Sequence, residues 1–507
     1  MMDLYLSNHL ASDLIESAWL PVKFLGAATL VLCIFNYYFH PASHVPGPFI
    51  AAISPLWLMR AVYRKHLNLD IQKLHSQYGP YVRISPNEIS FATIEAQNTI
   101  HDPGPGVKGH FSKSGTLESM LGSVVWSGTH NVLTTTDKTA HKRLRNALLP
   151  AFTSKALFEQ EGIQQRHLQE LISSLRDTTS KQPVNLTECL SKLIWDIIGD
   201  LSFGEPLVEN QKERFDSLKI MFCQLSPLFE ALQYLTRVPC VGVFVRFAVA
   251  LIPHVFQMPR DILPSTALRK CMDRHDNRAD FLTAIMNSKD NGVLLTDAEM
   301  KSNSSLLVMV GYDTTATTLS AIFYFLLRDP MRMQMLKTEL RSSFSHEDEI
   351  TGNRLLPLRF LNGCIQESLR LLPPANGKGT NRTSPGAMID GVYVPAGINV
   401  SADMYTIQRS PQYWAEPEEF RPERWFDHGP GSVFEHDVRS CHRPFLLGPR
   451  VCLGKEVAMQ SIRLIVAKLI FSFDLVSASK KDLTWEKEVE STYLWIRFEI
   501  FAKFHGI

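Results

Sequence analysis

Apolar and polar positions alternate along the chain with two periods, which indicate a helical protein carrying a small amount of sheet. Two-residue alternation at residues 81–84 and 89–91, on either side of a Ser-Pro-Asn-Glu turn, predicts a β-hairpin. A second hairpin is predicted from residues 392–394 and 398–400, which flank a Pro-Ala-Gly turn. Most of the remaining chain has the 3.6-residue spacing of helices. We therefore predict a mainly α protein with small β-sheets, of the α+β class.

One predicted helix is much longer than the others. Thr296 and Glu299 form the Ser/Thr-x-x-Glu pattern of a capping box, so a helix should begin there. Its periodic pattern continues to Arg328, immediately before an Asp-Pro pair. At 1.5 Å per residue it is roughly 48 Å long, enough to cross a whole domain. Residues 301–305 are too polar for a membrane span.

The N-terminal region contains a mostly apolar stretch at residues 19–39, close to the length of a bilayer span. No convincing signal-peptide cleavage site follows it. Acidic residues precede the stretch and basic residues follow it, which favours a cytosolic C-terminal side. We predict a single N-terminal transmembrane helix at 19–39, with residues 1–18 in the lumen. Residues 40–50 are predicted to be a stiff, extended Pro-rich hinge.

The remaining residues, 51–507, are predicted to form one large domain, because no flexible linker or repeat interrupts them. A second apolar stretch at residues 238–254 is either a membrane-dipping loop or a roof helix over the core. The net charge is +1, which gives no reason to expect a nucleic-acid partner. The 8 cysteines are scattered, which favours a reducing compartment over a disulfide framework.

One cysteine, Cys452, lies in an unusual frame. Phe445, Gly448, Arg450 and Gly454 surround it within ten residues, and no second Cys or His has a spacing suited to sharing a metal. A lone cysteine is usually a buried small hydrophobe. Here the apolar run after Gly454 predicts a helix, so Cys452 precedes a helix N-terminus, where N–H groups and the dipole favour a thiolate. Such a thiolate suits an axial ligand of heme iron.

The segment Phe445-x-x-Gly448-x-Arg450-x-Cys452-x-Gly454 resembles the heme-ligand signature of the cytochrome P450 monooxygenases. The resemblance implies the cytochrome P450 fold and one molecule of heme b, with Cys452 as the axial ligand and the metal ligand. It also places Phe445 and Arg450 among the cofactor-binding residues.

The long helix carries a second motif of this family. Gly311 in mid-helix costs about 1 kcal/mol relative to alanine, and a flat cofactor against the backbone is one reason to keep it. Thr314 can donate to the carbonyl of Val310 and bend the helix, and Asp313 beside it completes an acid–alcohol proton relay. The resemblance therefore makes Asp313 and Thr314 the catalytic residues and Gly311 a cofactor contact. Val310 stands where the family usually has alanine or glycine, and it narrows the groove.

Two further sets of residues match the family. Glu367, Arg370 and Arg424 are expected to form a buried ionic triad that holds the segment leading to Cys452. The heme propionates need cations, and the resemblance assigns His141, Arg145, Arg382 and Arg450 to them. Among the other basic residues, Lys142, Arg143 and Lys455 are candidates for an electron-donor surface.

The function expected from the resemblance is oxidation of a hydrophobic small molecule in fungal secondary metabolism, on a polyketide, terpenoid or alkaloid-like substrate. It uses O2 and electrons from NADPH, delivered by NADPH–cytochrome P450 reductase. The expected location is the endoplasmic reticulum membrane, single-pass, with the catalytic domain facing the cytosol. Two alternatives stay open: oxidative ring closure, coupling or rearrangement without oxygen insertion, and a non-enzymatic heme-binding sensor or scaffold.

Overall fold

A computed structural model describes most of the catalytic domain and all but the first four residues of the apolar N-terminal stretch. The described residues are 23–104, 109–114, 129–178, 182–204, 234–235, 242, 245, 278–287, 295–375, 380–479, 490–491, 495 and 499–506. The predicted lumenal segment 1–18 lies outside them, as does the predicted membrane-dipping or roof stretch 238–254 apart from 242 and 245. Within the described part, helices form the body and small sheets lie beside it.

The helices are numbered in chain order. They are α1 (Lys23–Phe39), α2 (Phe49–Ile53), α3 (Leu56–Tyr63), α4 (Leu67–Tyr78), α5 (Ile94–His101), α6 (Lys138–Leu148), α7 (Ser154–Thr178), α8 (Leu186–Phe203), α9 (Phe281–Asn287), α10 (Asp297–Arg328), α11 (Pro330–Ser343), α12 (Gly352–Leu355), α13 (Arg359–Leu371), α14 (Met404–Ile407) and α15 (Lys455–Ser472). Short 3₁₀ turns occur at Leu149–Phe152, Glu347–Glu349, Pro422–Trp425, Arg439–Cys441 and Gly448–Arg450.

The long helix α10 is the centre of the fold, and both of its predicted ends are confirmed. The Thr296 hydroxyl accepts from the Glu299 N–H while the Glu299 carboxylate accepts from the Thr296 N–H, which completes the capping box. The helix packs against α8, α13 and α15. Among the described residues, α10 alone is long and apolar enough to cross a membrane, but its most apolar stretch is 72% buried inside the protein. It is therefore a core helix.

The strands form three small sheets within the described part. They are β1 (Tyr81–Ser85), β2 (Glu88–Phe91), β3 (Ser112–Lys113), β4 (Val184–Asn185), β5 (Arg382–Thr383), β6 (Ala387–Ile389), β7 (Val392–Val394), β8 (Asn399–Ala402), β9 (Phe473–Ser477) and β10 (Phe501–Gly506). The sheet orders are β1-β2-β8-β5-β3, β4-β10-β9 and β6-β7. The first predicted hairpin is confirmed, because Tyr81 pairs with Phe91 across an antiparallel β1–β2 ladder.

The second predicted hairpin is wrong in its pairing, although both strands exist. β7 pairs with β6 through a two-residue turn, Asp390-Gly391, in which both residues have positive φ. An Asp-Gly pair of this kind is the strongest short signal for a hairpin turn, and it was present in the sequence. β8 instead pairs in parallel with β2 and antiparallel with β5. Burial explains this, since Val400 packs with Ile89 and Phe91 in one apolar cluster.

The Pro-rich hinge differs from the extended connector predicted for residues 40–50. Residues 40–45 form a turn, and α2 begins at Phe49. Ala42 and Val45 are buried in the apolar cluster of the five-stranded sheet. The hinge is therefore a docked part of the catalytic domain, because burial of its apolar side chains favours a compact path over an extended one.

Candidate active site

Cys452 lies where the sequence places it, directly before a helix. Gly454 is the N-cap residue of α15, and the Cys452 N–H donates to the Phe445 carbonyl at 2.9 Å. The Val451 N–H donates to the Gly448 carbonyl at 3.0 Å, which closes the loop into a tight turn. The main chain that carries the thiol is thus held by the N–H of Cys452 and by that of the residue before it.

Gly448 allows this loop to approach α5. Its φ is +72°, and a Cβ there would lie 2.3 Å from the His101 carbonyl oxygen. Both facts exclude a side chain, because L-residues avoid this conformation and the neighbour is backbone that cannot rotate away. The glycine of the motif is therefore required by the close contact between the Cys452 loop and α5.

The environment of the thiol is mixed. Burial raises the pKa of Cys452, while the Gly454 N–H, Arg145 and Lys455 act to lower it. Burial outweighs these three groups, so the net stabilisation of the thiolate expected from the sequence is not found for the protein alone. The thiol is surrounded by protein atoms and yet its side chain is exposed. This combination is expected of a residue at the floor of a recess.

A cluster of cations lies beside this loop. His141 and Arg145 lie one turn apart on α6, Arg382 is on β5 and Arg450 belongs to the Cys452 loop. Burial and then Arg450 lower the pKa of Arg382 to about 10. Burial, followed by the four neighbouring cations, lowers the pKa of His141 to about 4. These neighbours are Arg450, Arg145, Lys113 and Arg382. Lys113, a buried residue on β3, was not predicted from the sequence.

Lys113 is directly opposite Arg382 in the β3–β5 ladder. Like charges in this register destabilise a sheet. Burial, Arg382 and Arg450 hold the pKa of Lys113 well below its usual range. A lone Lys in a two-residue strand has no periodic or spacing signal, which explains why sequence reasoning passed over it.

The cations are held by backbone carbonyls. Arg145 donates to Val451 at 2.9 Å, Arg450 to Thr135 at 2.9 Å, Arg382 to Thr380 at 2.6 Å, and Lys113 to Leu133. Among the described residues, no carboxylate forms an ion pair with any of these four side chains. A buried positive excess of this kind is costly unless an anion joins it. The site therefore fits a ligand that brings carboxylates to the cations and a metal to the thiol.

One face of α10 is open in its middle. Val310 is 40% exposed although it lies on a core helix, and Thr314 follows one turn later on the same face. The Thr314 hydroxyl donates to the Val310 carbonyl at 2.7 Å, which confirms the bond predicted from the sequence. Asp313 is adjacent and partly buried. The helix therefore presents an acid and an alcohol next to a position occupied by a β-branched side chain.

Gly311 has a packing reason in this structure. A Cβ at this position would lie 3.1 Å from Ile198 Cδ1 on α8. The missing side chain thus allows α10 and α8 to approach closely. The contact between Gly311 and a flat cofactor remains a prediction.

The predicted ionic triad is confirmed and is part of a larger network. Glu367 accepts from Arg370 at 2.8 and 2.9 Å and from Arg424 at 2.9 Å, and the three side chains have no exposed surface. Two further partners were not predicted: Trp425 donates to Glu367 at 3.0 Å, and Asp437 pairs with Arg424. The network joins α13 to the segment that leads into the Cys452 loop.

A thiol before a helix, with a cluster of cations beside it, is an arrangement suited to a heme-thiolate centre. The sequence model of the family "Cytochrome P450" matches residues 45–493. Given this match over most of its length, the chain belongs to the cytochrome P450 family.

Individual relatives agree with this assignment. Cytochrome P450 monooxygenase btcB of Colletotrichum orbiculare is 55% identical over 478 residues, covering 92% of this chain and 89% of that protein. Cytochrome P450 monooxygenase FUP2 of Fusarium proliferatum is 43% identical, with 94% of each chain covered. Sesterfisheric acid synthase of Neosartorya fischeri is 41% identical, with 94% of each chain covered. The resemblance found in the motifs is confirmed, and the chain is a cytochrome P450 monooxygenase.

Proposed function

We propose that this enzyme oxidises a hydrophobic small molecule in fungal secondary metabolism, with Cys452 as the axial ligand of heme b. The observation that carries the proposal is the exposed Cys452 directly before α15, beside cations that have no carboxylate partner among the described residues. When bound, the heme supplies an iron centre at which O2 is activated. Polyketide, terpenoid and alkaloid-like compounds are the proposed substrate classes.

The cofactor contacts follow from the positions of the polar groups. His141, Arg145, Arg382 and Arg450 are the proposed partners of the two propionates, whose negative charge offsets their mutual repulsion. The Gly454 N–H, which already lowers the pKa of Cys452, would hold the ligand sulfur. Phe445 is partly buried against the main core and would pack beside the sulfur.

Proton delivery is proposed for the pair on α10. The Thr314 hydroxyl donates to the Val310 carbonyl, so it must release this bond before it can donate to an oxygen atom in the recess. Asp313 is the proposed source that restores its proton. The Val310 side chain, with 40% of its surface exposed, narrows the space in which substrate and oxygen meet.

NADPH–cytochrome P450 reductase is the proposed electron donor. Lys455 at the start of α15 is exposed close to Cys452, and Lys142 is exposed on α6, the helix whose Arg145 contacts the Cys452 loop; both would bind an acidic partner. Lys455 also pairs with the adjacent Glu456 at 3.4 Å, but both side chains are half exposed, so the pair is weak. Arg143, the third candidate, pairs with Glu299 of α10, which limits its part in this surface.

The proposed location is the endoplasmic reticulum membrane, with residues 19–39 as a single-pass anchor and residues 51–507 in the cytosol. The support is the apolar surface of α1, where Phe24, Leu30 and Val31 are 73%, 62% and 64% exposed. Side chains of this kind on a helix of this composition are suited to lipid rather than water.

The carbon monoxide spectrum of the reduced enzyme tests the ligand assignment. The wild type and Cys441→Ala, which removes a buried thiol outside the Cys452 loop, are expected to show the red-shifted thiolate band, and Cys452→Ala is expected to lose it. A wild type without the band, or a Cys452→Ala variant that keeps it, contradicts the assignment. Turnover under labelled O2 then separates the reactions: label in the product shows oxygen insertion, and an oxidised product without label favours ring closure, coupling or rearrangement. A bound ligand that is never converted would instead favour a sensor or scaffold.

A further inference from the structure

Arg83 is a buried cation far from the chemistry described above. It lies on β1 with 1% of its surface exposed. Its guanidinium donates to the Pro86 carbonyl at 2.9 and 3.1 Å and to the Asn36 carbonyl at 2.9 Å. Burial lowers its pKa to about 10, so it keeps its charge at neutral pH. The bond to Asn36 joins the five-stranded sheet to the end of α1.

The end of α1 explains why this bond is needed. The last turn, Phe35–Phe39, is π-helical, and the His40 N–H donates to the Phe35 carbonyl at 2.8 Å. The next residue is Pro41, which has no N–H. The helix therefore offers no donor to the Asn36 carbonyl, and Arg83 supplies one. A charge-assisted bond to an otherwise unmatched carbonyl is stronger than an ordinary one.

Two further contacts tie α1 and the hinge to the catalytic domain. The Asn36 side-chain amide donates to the Ile53 carbonyl of α2 at 3.0 Å. The Arg83 N–H donates to the Pro46 carbonyl at 2.8 Å, and a Cβ on Gly47 would lie 2.4 Å from the Arg83 oxygen. The hinge therefore lies directly on β1, and the C-terminal end of α1 is bonded to both the sheet and α2.

This arrangement presents an apolar surface next to α1. The rings of Tyr38 and Phe39 are 67% and 71% exposed at the end of the helix. Phe49 and Ile50 on α2 are 60% and 52% exposed, and Phe49 contacts the Tyr37 ring with centroids 5.3 Å apart. Aromatic side chains at the end of an apolar helix are typical of the membrane–water interface. The surface is continuous with the apolar side chains of α1.

We propose that Arg83 and Asn36 lock α1 to the catalytic domain, and that this lock seats Phe49 and Ile50 in the headgroup–acyl boundary of the bilayer. The partner is the lipid surface itself. The inference rests on the proposed anchor at residues 19–39 and goes beyond it, because a tethered domain could also stand away from the membrane. With the lock, the protein sets the angle at which the domain meets the bilayer.

Lipid crosslinking on the full-length heme-loaded enzyme in phosphatidylcholine nanodiscs tests this. The photoreactive residue p-benzoylphenylalanine is placed at position 24, 49 or 158, one position per sample. Phe158 is the control, since it is 71% exposed but lies on α7, whose neighbours are α8 and α15. Crosslinks to acyl chains are expected from positions 24 and 49, and not from position 158.

The lock is then removed in each sample. Arg83→Met is expected to lower crosslinking from position 49 roughly tenfold, the shift that follows from loss of a charge-assisted bond, while position 24 is unchanged. Asn36→Ala, which leaves the buried cation in place, is expected to give a smaller loss and keeps the test valid if Arg83→Met does not fold. Arg354→Met, the loss of a half-exposed arginine elsewhere, should have no effect.

The outcomes separate the two proposals. No crosslink from position 24 contradicts the anchor itself. A crosslink from position 24 but none from position 49 contradicts the docked surface, as does equal crosslinking from position 158. Unchanged crosslinking from position 49 in both lock variants shows that Arg83 and Asn36 do not set the orientation.

Discussion

Replacing Glu367 with glutamine removes one negative charge from a completely buried network and keeps the shape of the side chain. In the native protein this carboxylate accepts hydrogen bonds from Arg370, Arg424, Trp425 and the Arg421 N–H, all between 2.8 and 3.0 Å. Glutamine has one acceptor oxygen in place of two, and its amide group faces other donors. The substitution therefore breaks bonds as well as removing the charge.

The size of the effect follows from the charge balance. Two carboxylates, Glu367 and Asp437, offset two guanidinium groups, Arg370 and Arg424, and none of the four side chains has exposed surface. Glu367→Gln leaves one buried positive charge without a partner. Breaking a buried ion pair in this way costs about 3–5 kcal/mol, a large share of the stability of an ordinary domain.

The effect depends on pH, and its sign can be derived. Burial acts to raise the pKa of Glu367, but Arg370 and Arg424 act more strongly in the other direction, so the pKa is lowered in the folded protein. A carboxyl with a lowered pKa stabilises the fold above its unfolded value, about 4.3, and this contribution is lost as the pH falls through the folded value. The wild type and the glutamine variant should therefore differ most at neutral pH and converge in acid.

Urea unfolding followed by tryptophan fluorescence measures the difference. Glu416→Gln is the matched control, because Glu416 pairs with Arg421 at 2.6 Å in the same part of the chain but is 43% exposed. This control is expected to lose less than about 1 kcal/mol. If Glu367→Gln loses no more than the control at neutral pH, or if its loss grows toward low pH, the charge-balance argument is wrong.

Two other predictions concern the Cys452 loop and the cation cluster. Gly448→Ala is expected to lower the unfolding free energy by at least about 3 kcal/mol, and Gly391→Ala by only about 1–2 kcal/mol. Both glycines have φ above +70°, but only Gly448 lies against the backbone of another segment, at His101. Equal losses for the two variants contradict the close-contact argument. Lys113→Met removes one cation from the cluster around the proposed propionate partners, so it is expected to release heme to apomyoglobin roughly tenfold faster than wild type. The exposed Lys142→Met should release it at the wild-type rate; equal rates for the two variants show that Lys113 does not help this cluster to hold the heme.

The motifs of the site were predictable because each depends on local geometry. The capping box at Thr296, the bond from Thr314 to Val310 and the position of Cys452 before a helix all involve residues within a few positions of one another. The ionic triad was also predictable, although Glu367 and Arg424 are far apart in sequence, because a family pattern joins them. Short-range hydrogen bonds and family motifs can therefore be predicted without knowing the tertiary structure.

Other features were decided by contacts between distant segments. β8 pairs with β2 and not with the predicted partner β7, because Val400 is buried in that position. Lys113 belongs to the cation cluster only because strand register places it opposite Arg382. Neither position has a local signal, since burial and register depend on which segments the whole chain brings together.

By itself, the sequence determined the family, Cys452 as the candidate axial ligand, the long core helix and the acid–alcohol pair. Only the tertiary structure decided which cations surround the recess, which helix Gly311 approaches, and how the hinge is docked through Arg83 and Asn36. The physical reason is the range of the interactions. A cap or a back-bonded threonine is complete within one turn of chain, whereas a buried charge is stabilised or not by groups that only folding places beside it.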